Sequence, residues 1–286
     1  MNIETETVNL HIAILSEAMG AVIHGVDLAK GISDAELDTI KTHWYERCIV
    51  LFRGQSLTEE QQIVFGEKFG ELAHTLKKFE ITKNPAIMYV TNEKKDGHYQ
   101  GALPDGEMYF HMDMCYLERP SMASILYAIN IPKSGGDTLF ANMYTAYEDL
   151  GEETKSFIEQ RMAINSYDPG KSDYASTRSI SDYRSETELS YPQPMVYRHP
   201  VTGRKALYVN RVMTRQVVNM GEAESTALLQ KLFAHQEQEK YIYRHKWQPG
   251  DVLMWDNRCT LHAREEFDAR ELRKLRRVTI KGERLY

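Results

Sequence analysis

The chain has 286 residues, 42% of them hydrophobic and 27% charged, and its 35 basic and 41 acidic side chains leave a net charge of −6. That balance argues against nucleic-acid binding through bulk charge, and no apolar run approaches the roughly 18 residues of a membrane span. Three cysteines, Cys48, Cys115 and Cys259, are odd in number and far apart, which argues against a disulfide framework and for a reducing compartment. The opening MNIETETVNL has neither a basic nor an apolar leader region, so the expectation is a soluble, cytoplasmic, globular protein without a signal peptide. With no repeat, low-complexity tract or linker, a single domain over 1–286 is the simplest organisation.

In chain order, Ala21–Val26 reads as a short strand. Ser33 with Glu36 forms a capping-box signature, and Leu37, Ile40 and Trp44 follow at helical spacing. Ile49–Phe52 is a continuous apolar run and reads as a buried strand. Thr58 with Gln61 repeats the capping signature ahead of a second helix ending near Gly70. Ile87–Val90 is a strand candidate. Residues 93–107 are polar and rich in glycine, a loop of about 15 residues, long enough to suggest a lid. Met122–Ile131 is apolar and stops at the turn PKSGGD, after which Thr138–Ala141 reads as a strand. Thr145–Ala163 reads as one helix and 165–194 as an irregular, mobile insertion. Val196–Tyr197 and Ala206–Val209 flank a hairpin turn, Glu222–Glu239 is helical, and YIYRHKW, VLMW and LRRVTIKG close the chain as strands. Many short strands broken by Gly and Pro turns, with helices added, make an α+β fold with a mainly β core, a sandwich or barrel.

The sharpest local feature is Phe110-His111-Met112-Asp113-Met114. On a strand, residues two apart share a face, so His111 and Asp113 would present an imidazole and a carboxylate side by side. Alone this pair carries little weight, because a chain with ten histidines meets it by chance. A second histidine would complete the two-His, one-carboxylate set that binds ferrous iron with positions left open. His262, beyond the turn and apolar strand PGDVLMW, is the candidate, with His74, His98, His199 and His245 as competitors by composition.

Residues 264–284 hold eight basic and five acidic side chains, which by default would be a solvated face. Strand alternation changes this. Arg273, Leu275, Arg277 and Thr279 fall on one face, with the two arginines about 13 Å apart at ~3.3 Å per residue. If that face looks inward, buried guanidiniums require anionic partners, and bidentate carboxylate recognition suits them.

Taken together, GAVIHGVDL (20–28), VLFRGQSLTEEQQIVFGEKFGEL (50–72), FHMDM (110–114), PKSGGDTLFANMYTAYEDL (132–150), YRHKWQPGDVLMWDNRCTLH (243–262) and RKLRRVTIKG (273–282) resemble the taurine dioxygenase/chlorophenoxyacetate dioxygenase family of Fe(II)- and 2-oxoglutarate-dependent oxygenases. The resemblance runs over nearly the whole chain. It implies a double-stranded β-helix, or jelly roll, decorated with helices. It also implies iron ligation by His111, Asp113 and His262, and contact of Thr138 and Arg273 with the distal carboxylate of 2-oxoglutarate. Arg277 falls near the anionic group of the substrate, and Asn92, Met114 and His74 fall near substrate contacts. His74 is one residue out of register, and Phe110 stands where taurine enzymes carry Trp, both departures from the taurine pattern.

The activity implied is O₂-dependent hydroxylation of a small anionic organic acid, of aryloxy or alkyl carboxylate or sulfonate type, giving succinate and CO₂. A carboxylate at Asp113 favours hydroxylation over halogenation, and the resemblance implies a homodimer or homotetramer. Two other readings use the same residues: a metal-dependent hydrolase holding Zn²⁺ at His111, Asp113 and His262, and a non-enzymatic binding protein on the same scaffold.

Overall fold

The computed structural model describes residues 10–74, 81–103, 108–167 and 189–286. Its fold is mixed α and β with a mainly β core. A seven-stranded sheet takes the order His11–Ile14, Ala21–His24, Ile49–Phe52, Val252–Asp256, Ser121–Asn130, Lys274–Lys281, Met88–Thr91. A four-stranded sheet takes the order Ile242–His245, Thr138–Asn142, Thr260–Arg264, Met108–His111. The neighbours pair antiparallel, except that Ala21–His24 runs parallel to Ile49–Phe52.

The large sheet is buried on both faces, which explains why IVLF and VLMW are continuous apolar runs rather than alternating ones. Leu51, Leu253, Trp255, Leu126 and Leu275 point inward and share one core with Phe140 and Leu261 of the small sheet. Val50, Phe52, Val252, Met254, Ile125, Val278 and Ile280 point outward into a second core with Trp44 and Phe65. Those aromatics belong to helices Asp34–Arg47 and Glu59–Glu67, which cover the outer face. Both helices begin with the expected capping boxes, Ser33 with Glu36 and Thr58 with Gln61.

This double burial gives the tail a role that alternation alone did not reveal. Arg273 precedes the strand Lys274–Lys281, Leu275 and Arg277 face inward as expected, and Arg276 faces outward without reaching solvent. Arg276 is 5% exposed beneath helix Glu59–Glu67. Its Nε donates to Gln62 Oε1 at 2.7 Å, and Nη2 donates to the carbonyls of Leu57 and Thr58 at 2.7 and 2.9 Å. Gln62 in turn donates to the carbonyls of Ile125 and Arg276. Arg276→Ala strands two buried acceptors, Gln62 Oε1 and the Leu57 carbonyl, and a part-buried one at Thr58, so a stability loss of about 3 kcal/mol is expected in urea denaturation. A loss within about 0.5 kcal/mol, typical of surface substitutions, would show that the bonds are not integral to the fold.

Several sequence expectations need correction. Thr145–Ala163 is not one helix: Met143–Glu148 and Glu152–Ile158 are separate helices, and Ala163 lies in strand Met162–Tyr167. Gly151, the N-cap of the second helix, separates the two. The span 165–194 is not irregular at its ends. Met162–Tyr167 pairs over six residues with Leu189–Pro194, an edge strand whose position tolerates Pro192 and Pro194. Residues 168–188 lie outside the described residues, as do 104–107 of the expected lid. The described part of that loop contains the hairpin Lys94–Lys95/His98–Tyr99, turned at Asp96-Gly97 with both φ values positive (51° and 81°), a signal already present as Asp-Gly. Strand His11–Ile14 was not anticipated.

Candidate active site

His262 on Thr260–Arg264 is the register partner of His111 at the end of Met108–His111, so pairing alone sets the two imidazoles side by side. Their ring centroids are 4.1 Å apart. Asp113 is brought in by a different route from the expected pleat. The strand ends at His111 and Asp113 sits in the following turn, where Met114 takes the left-handed conformation (φ 57°). Asp113 Oδ1 lies 4.0 Å from His111 Nε2 and 3.8 Å from His262 Nε2. One ligand atom from each of the three lies within 4.8 Å of the others, and all three residues are buried.

Hydrogen bonds orient each member. His111 Nδ1 lies 2.8 Å from the Tyr109 carbonyl, which places the proton there and leaves Nε2 as a lone pair toward Asp113. His262 Nδ1 is buried without a hydrogen-bond partner, and its ring is set by packing against Trp255 and Phe140 at centroid distances of 4.9 and 6.3 Å. Asp113 Oδ2 accepts from Ser124 Oγ at 2.8 Å. Behind it, Asn257 Nδ2 donates to Ser124 Oγ and Trp255 Nε1 donates to Asn257 Oδ1. This relay, which no motif in the sequence signals, occupies Oδ2 and leaves Oδ1 facing the imidazoles.

Burial pushes the His262 pKa down to about 3, with His111 adding to the fall, and burial likewise lowers His111 against the opposing pull of Asp113. Both imidazoles are therefore neutral at neutral pH, the form that ligates metal. Burial alone would raise Asp113, but Arg277, His262, His111 and the Ser124 bond outweigh it and hold the carboxyl well below the usual carboxylate range. Two neutral nitrogens and one carboxylate oxygen fit a ferrous ion with open positions.

Arg277 Nη1 lies 3.3 and 3.4 Å from the two Asp113 oxygens, while its Nε is buried without a partner. Arg273 is 2% exposed; its Nε donates to the Gly136 carbonyl at 3.2 Å, and no carboxylate among the described residues ion-pairs with it. Burial drives its pKa well down, and Arg264 adds to the fall. A buried guanidinium in this state calls for an anion. Gly136 has a positive φ (71°), and a Cβ there would come 3.1 Å from Arg273 Nε. Thr138 is buried two residues along, and its hydroxyl accepts from Trp247 Nε1.

The remaining candidates are placed less centrally. Asn92 bonds to the backbone: Nδ2 donates to the carbonyls of Ala269 and Glu271, and Oδ1 accepts from Arg273 N. It thus clamps the segment that presents Arg273. Met114 is half-buried in its turn, and His74 is exposed, one residue after Ala73, whose N–H bonds to the Thr279 carbonyl. Of the competing histidines, His199 and His245 are buried beside Asp256 and Asp251 respectively, and neither belongs to the cluster.

A mainly β protein with two histidines and one carboxylate converging on one point, and with a buried arginine, Arg273, that no carboxylate among the described residues ion-pairs, has the make-up of a mononuclear iron oxygenase that takes an oxo acid as co-substrate. Known proteins agree with that class. The family described as "Taurine catabolism dioxygenase TauD, TfdA family" matches residues 11–279. An (S)-phenoxypropionate/alpha-ketoglutarate-dioxygenase of Sphingobium herbicidovorans is 32% identical over 277 residues, 95% of each chain. The crystal structure of a taurine dioxygenase from Burkholderia xenovorans superposes with a TM-score of 0.81 at 29% identity, covering 96% of this chain and 90% of that one. The structure of AAD-2 in complex with Mn(II) and N-oxalylglycine gives a TM-score of 0.78 at 28% identity, covering 97% and 99%. The chain belongs to the TauD, TfdA family and is an alpha-ketoglutarate-dependent dioxygenase, with Fe(II), 2-oxoglutarate and O₂ as its reagents. No helix among the described residues is long and apolar enough to cross a membrane.

Proposed function

We propose that this protein hydroxylates a small organic acid whose anionic group is held by Arg277, with iron on His111, Asp113 and His262 and the distal carboxylate of 2-oxoglutarate on Arg273 and Thr138. The observation that carries the substrate class is the Arg277 guanidinium, which reaches the metal cluster from the inner face of the large sheet with one nitrogen still unpartnered. The half-buried Met88 and Met114 and the stacked pair Tyr116–Tyr167, with ring centroids 4.9 Å apart, supply apolar and aromatic surface nearby. An aryloxy or alkyl carboxylate, or a sulfonate, matches that combination, and relatives named for phenoxypropionate and taurine support it. The match over residues 11–279 supports a single catalytic domain, and the two facing sheets are consistent with a double-stranded β-helix.

Bound at this site, ferrous iron with 2-oxoglutarate and O₂ supplies the oxidising power, so that the oxo acid leaves as succinate and CO₂ and one oxygen atom enters a substrate C–H bond. The protein's own residues orient and exclude. Ser124 and Asn257 hold Asp113 so that one oxygen faces the metal position. Arg273 and Thr138 offer charge-assisted bonds that fix the direction of the co-substrate. Arg277 turns from Asp113 toward the substrate anion. Arg264, two residues after His262, donates from Nη1 to the Leu103 carbonyl at 2.7 Å, which ties Leu103 of the loop from residue 93 to the strand that carries His262 and supports a lid role for that loop.

The test is succinate formation with panels of aryloxy acids and sulfonates, repeated on Arg277→Gln. Losing a charged hydrogen bond is expected to raise substrate KM about 10- to 100-fold, with KM for 2-oxoglutarate changed less than about threefold. The opposite ranking refutes the assignment of Arg277 to the substrate.

A further inference from the structure

We infer that Trp247 is a positioning residue for the co-substrate: its indole N–H fixes the Thr138 hydroxyl so that the hydroxyl proton points at the distal carboxylate of a dianionic 2-oxo acid. The inference rests on the reading of Thr138 and Arg273 as the co-substrate anchor. Trp247 is 6% exposed and its Nε1 donates to Thr138 Oγ1 at 3.0 Å. An indole nitrogen only donates, whereas a threonine hydroxyl has one proton and two lone pairs. The bond from Trp247 therefore occupies a lone pair and leaves the proton to be given elsewhere. Among the described residues that proton has no acceptor. A directed O–H and the carboxylate-free guanidinium of Arg273 are two donors awaiting one anion.

The indole is itself held in place. It packs edge-on to His245 at 4.4 Å and 90°. His245 is the register partner of Thr138, so the ring that packs on the indole sits on the same rung of the small sheet as the hydroxyl the indole binds. The His245 ring is braced in turn by the Tyr243 hydroxyl at 3.0 Å, and its Nε2 lies 3.2 Å from Asp251 Oδ2, a carboxylate paired with Arg53 at 2.6 Å. Trp247 consequently has little freedom to follow the hydroxyl if it rotates. Thr138 is also the register partner of Arg264. With Arg264 on the same rung and Arg273 bonded to Gly136, two residues before Thr138, an unrestrained hydroxyl would turn its lone pairs toward the cations. Trp247 counters this and keeps it a donor. The expected result is selectivity for a 2-oxo acid with a second carboxylate over one without.

The experiment replaces Trp247 by β-(3-benzothienyl)alanine, which keeps the bicyclic shape and lacks the N–H, and in parallel makes Trp247→Phe, Thr138→Val and the combination of each Trp247 change with Thr138→Val. Binding of 2-oxoglutarate and of pyruvate to the Mn(II)-loaded proteins is measured by calorimetry, without turnover. Losing the N–H is expected to weaken 2-oxoglutarate about five- to tenfold, the worth of one net hydrogen bond. Pyruvate binding stays unchanged, and once Thr138 is Val the Trp247 changes have no further effect. Equal weakening of pyruvate, additive losses in the combined variants, or full 2-oxoglutarate affinity in the benzothienyl protein overturns the inference, since the indole would then only pack or do nothing. If Thr138→Val itself leaves 2-oxoglutarate binding intact, the co-substrate anchor is wrong and the inference falls with it.

Discussion

His262→Ala is expected to abolish ferrous iron binding and turnover together while the protein stays folded. The side chain contributes one of three donors to a buried cluster, and its Nδ1 is already unpartnered, so removing the ring strands no hydrogen-bonded neighbour. The fold cost is that of a small cavity beside Trp255 and Phe140. The metal loses a direct ligand. Because outer-shell partners alone are worth 10- to 100-fold in affinity, a drop beyond about 100-fold is expected. His111→Ala should behave alike, with the added loss of the Tyr109 bond. The control is His199→Ala. That histidine is equally buried and is bonded to Asp256, yet lies outside the cluster, so its loss should lower stability and leave metal affinity in place. Anaerobic titration with Fe(II) or Mn(II), read by calorimetry, separates the cases. A folded His262→Ala protein with unchanged metal affinity would falsify the ligand assignment.

Arg273→Ala should separate binding from stability in the opposite sense. In the protein without co-substrate, Arg273 is a buried cation close enough to Arg264 to feel its charge, with no carboxylate ion-paired to it, so it opposes folding. Its removal is expected to leave the melting temperature of the metal-loaded protein unchanged or higher. Under the proposed anchoring, 2-oxoglutarate would supply the guanidinium's counter-charge. Breaking a buried charge pair by removing one partner typically costs 3–5 kcal/mol, which corresponds to a loss of affinity of roughly 150- to 5,000-fold. The upward shift in melting temperature that 2-oxoglutarate produces in the parent protein should accordingly disappear in the variant. A variant destabilised without ligand but still stabilised by 2-oxoglutarate would show Arg273 to be a structural arginine.

Much of this site was legible in the sequence, and unevenly. His111 and Asp113 stand out as a pair in the sequence, but strand alternation is not what joins them: a turn with Met114 at positive φ brings the carboxylate round. Composition alone leaves His262 as one candidate among several; the family resemblance singles it out, and the register between Thr260–Arg264 and Met108–His111 supplies the physical reason by setting it opposite His111. Arg273 and Arg277 were separated correctly from Arg276 by alternation, yet alternation says nothing of what lies beyond the sheet. Helix Glu59–Glu67 turned the expected outer surface into a second core. Ser124, Asn257, Trp255 and Trp247 escaped notice because each acts through a contact with a side chain from another strand or turn, and nothing in spacing along the chain encodes such a contact.

The order and period of the apolar runs, the two capping boxes and the Gly- and Pro-rich turns were enough by themselves to specify a helix-decorated β protein, since these depend on neighbours a few residues apart. The meeting of His111, Asp113 and His262, and the burial of Arg273 without an ion-paired carboxylate, were decided only in three dimensions. They depend on which strands lie side by side and on which charges the two closed cores shut away from water.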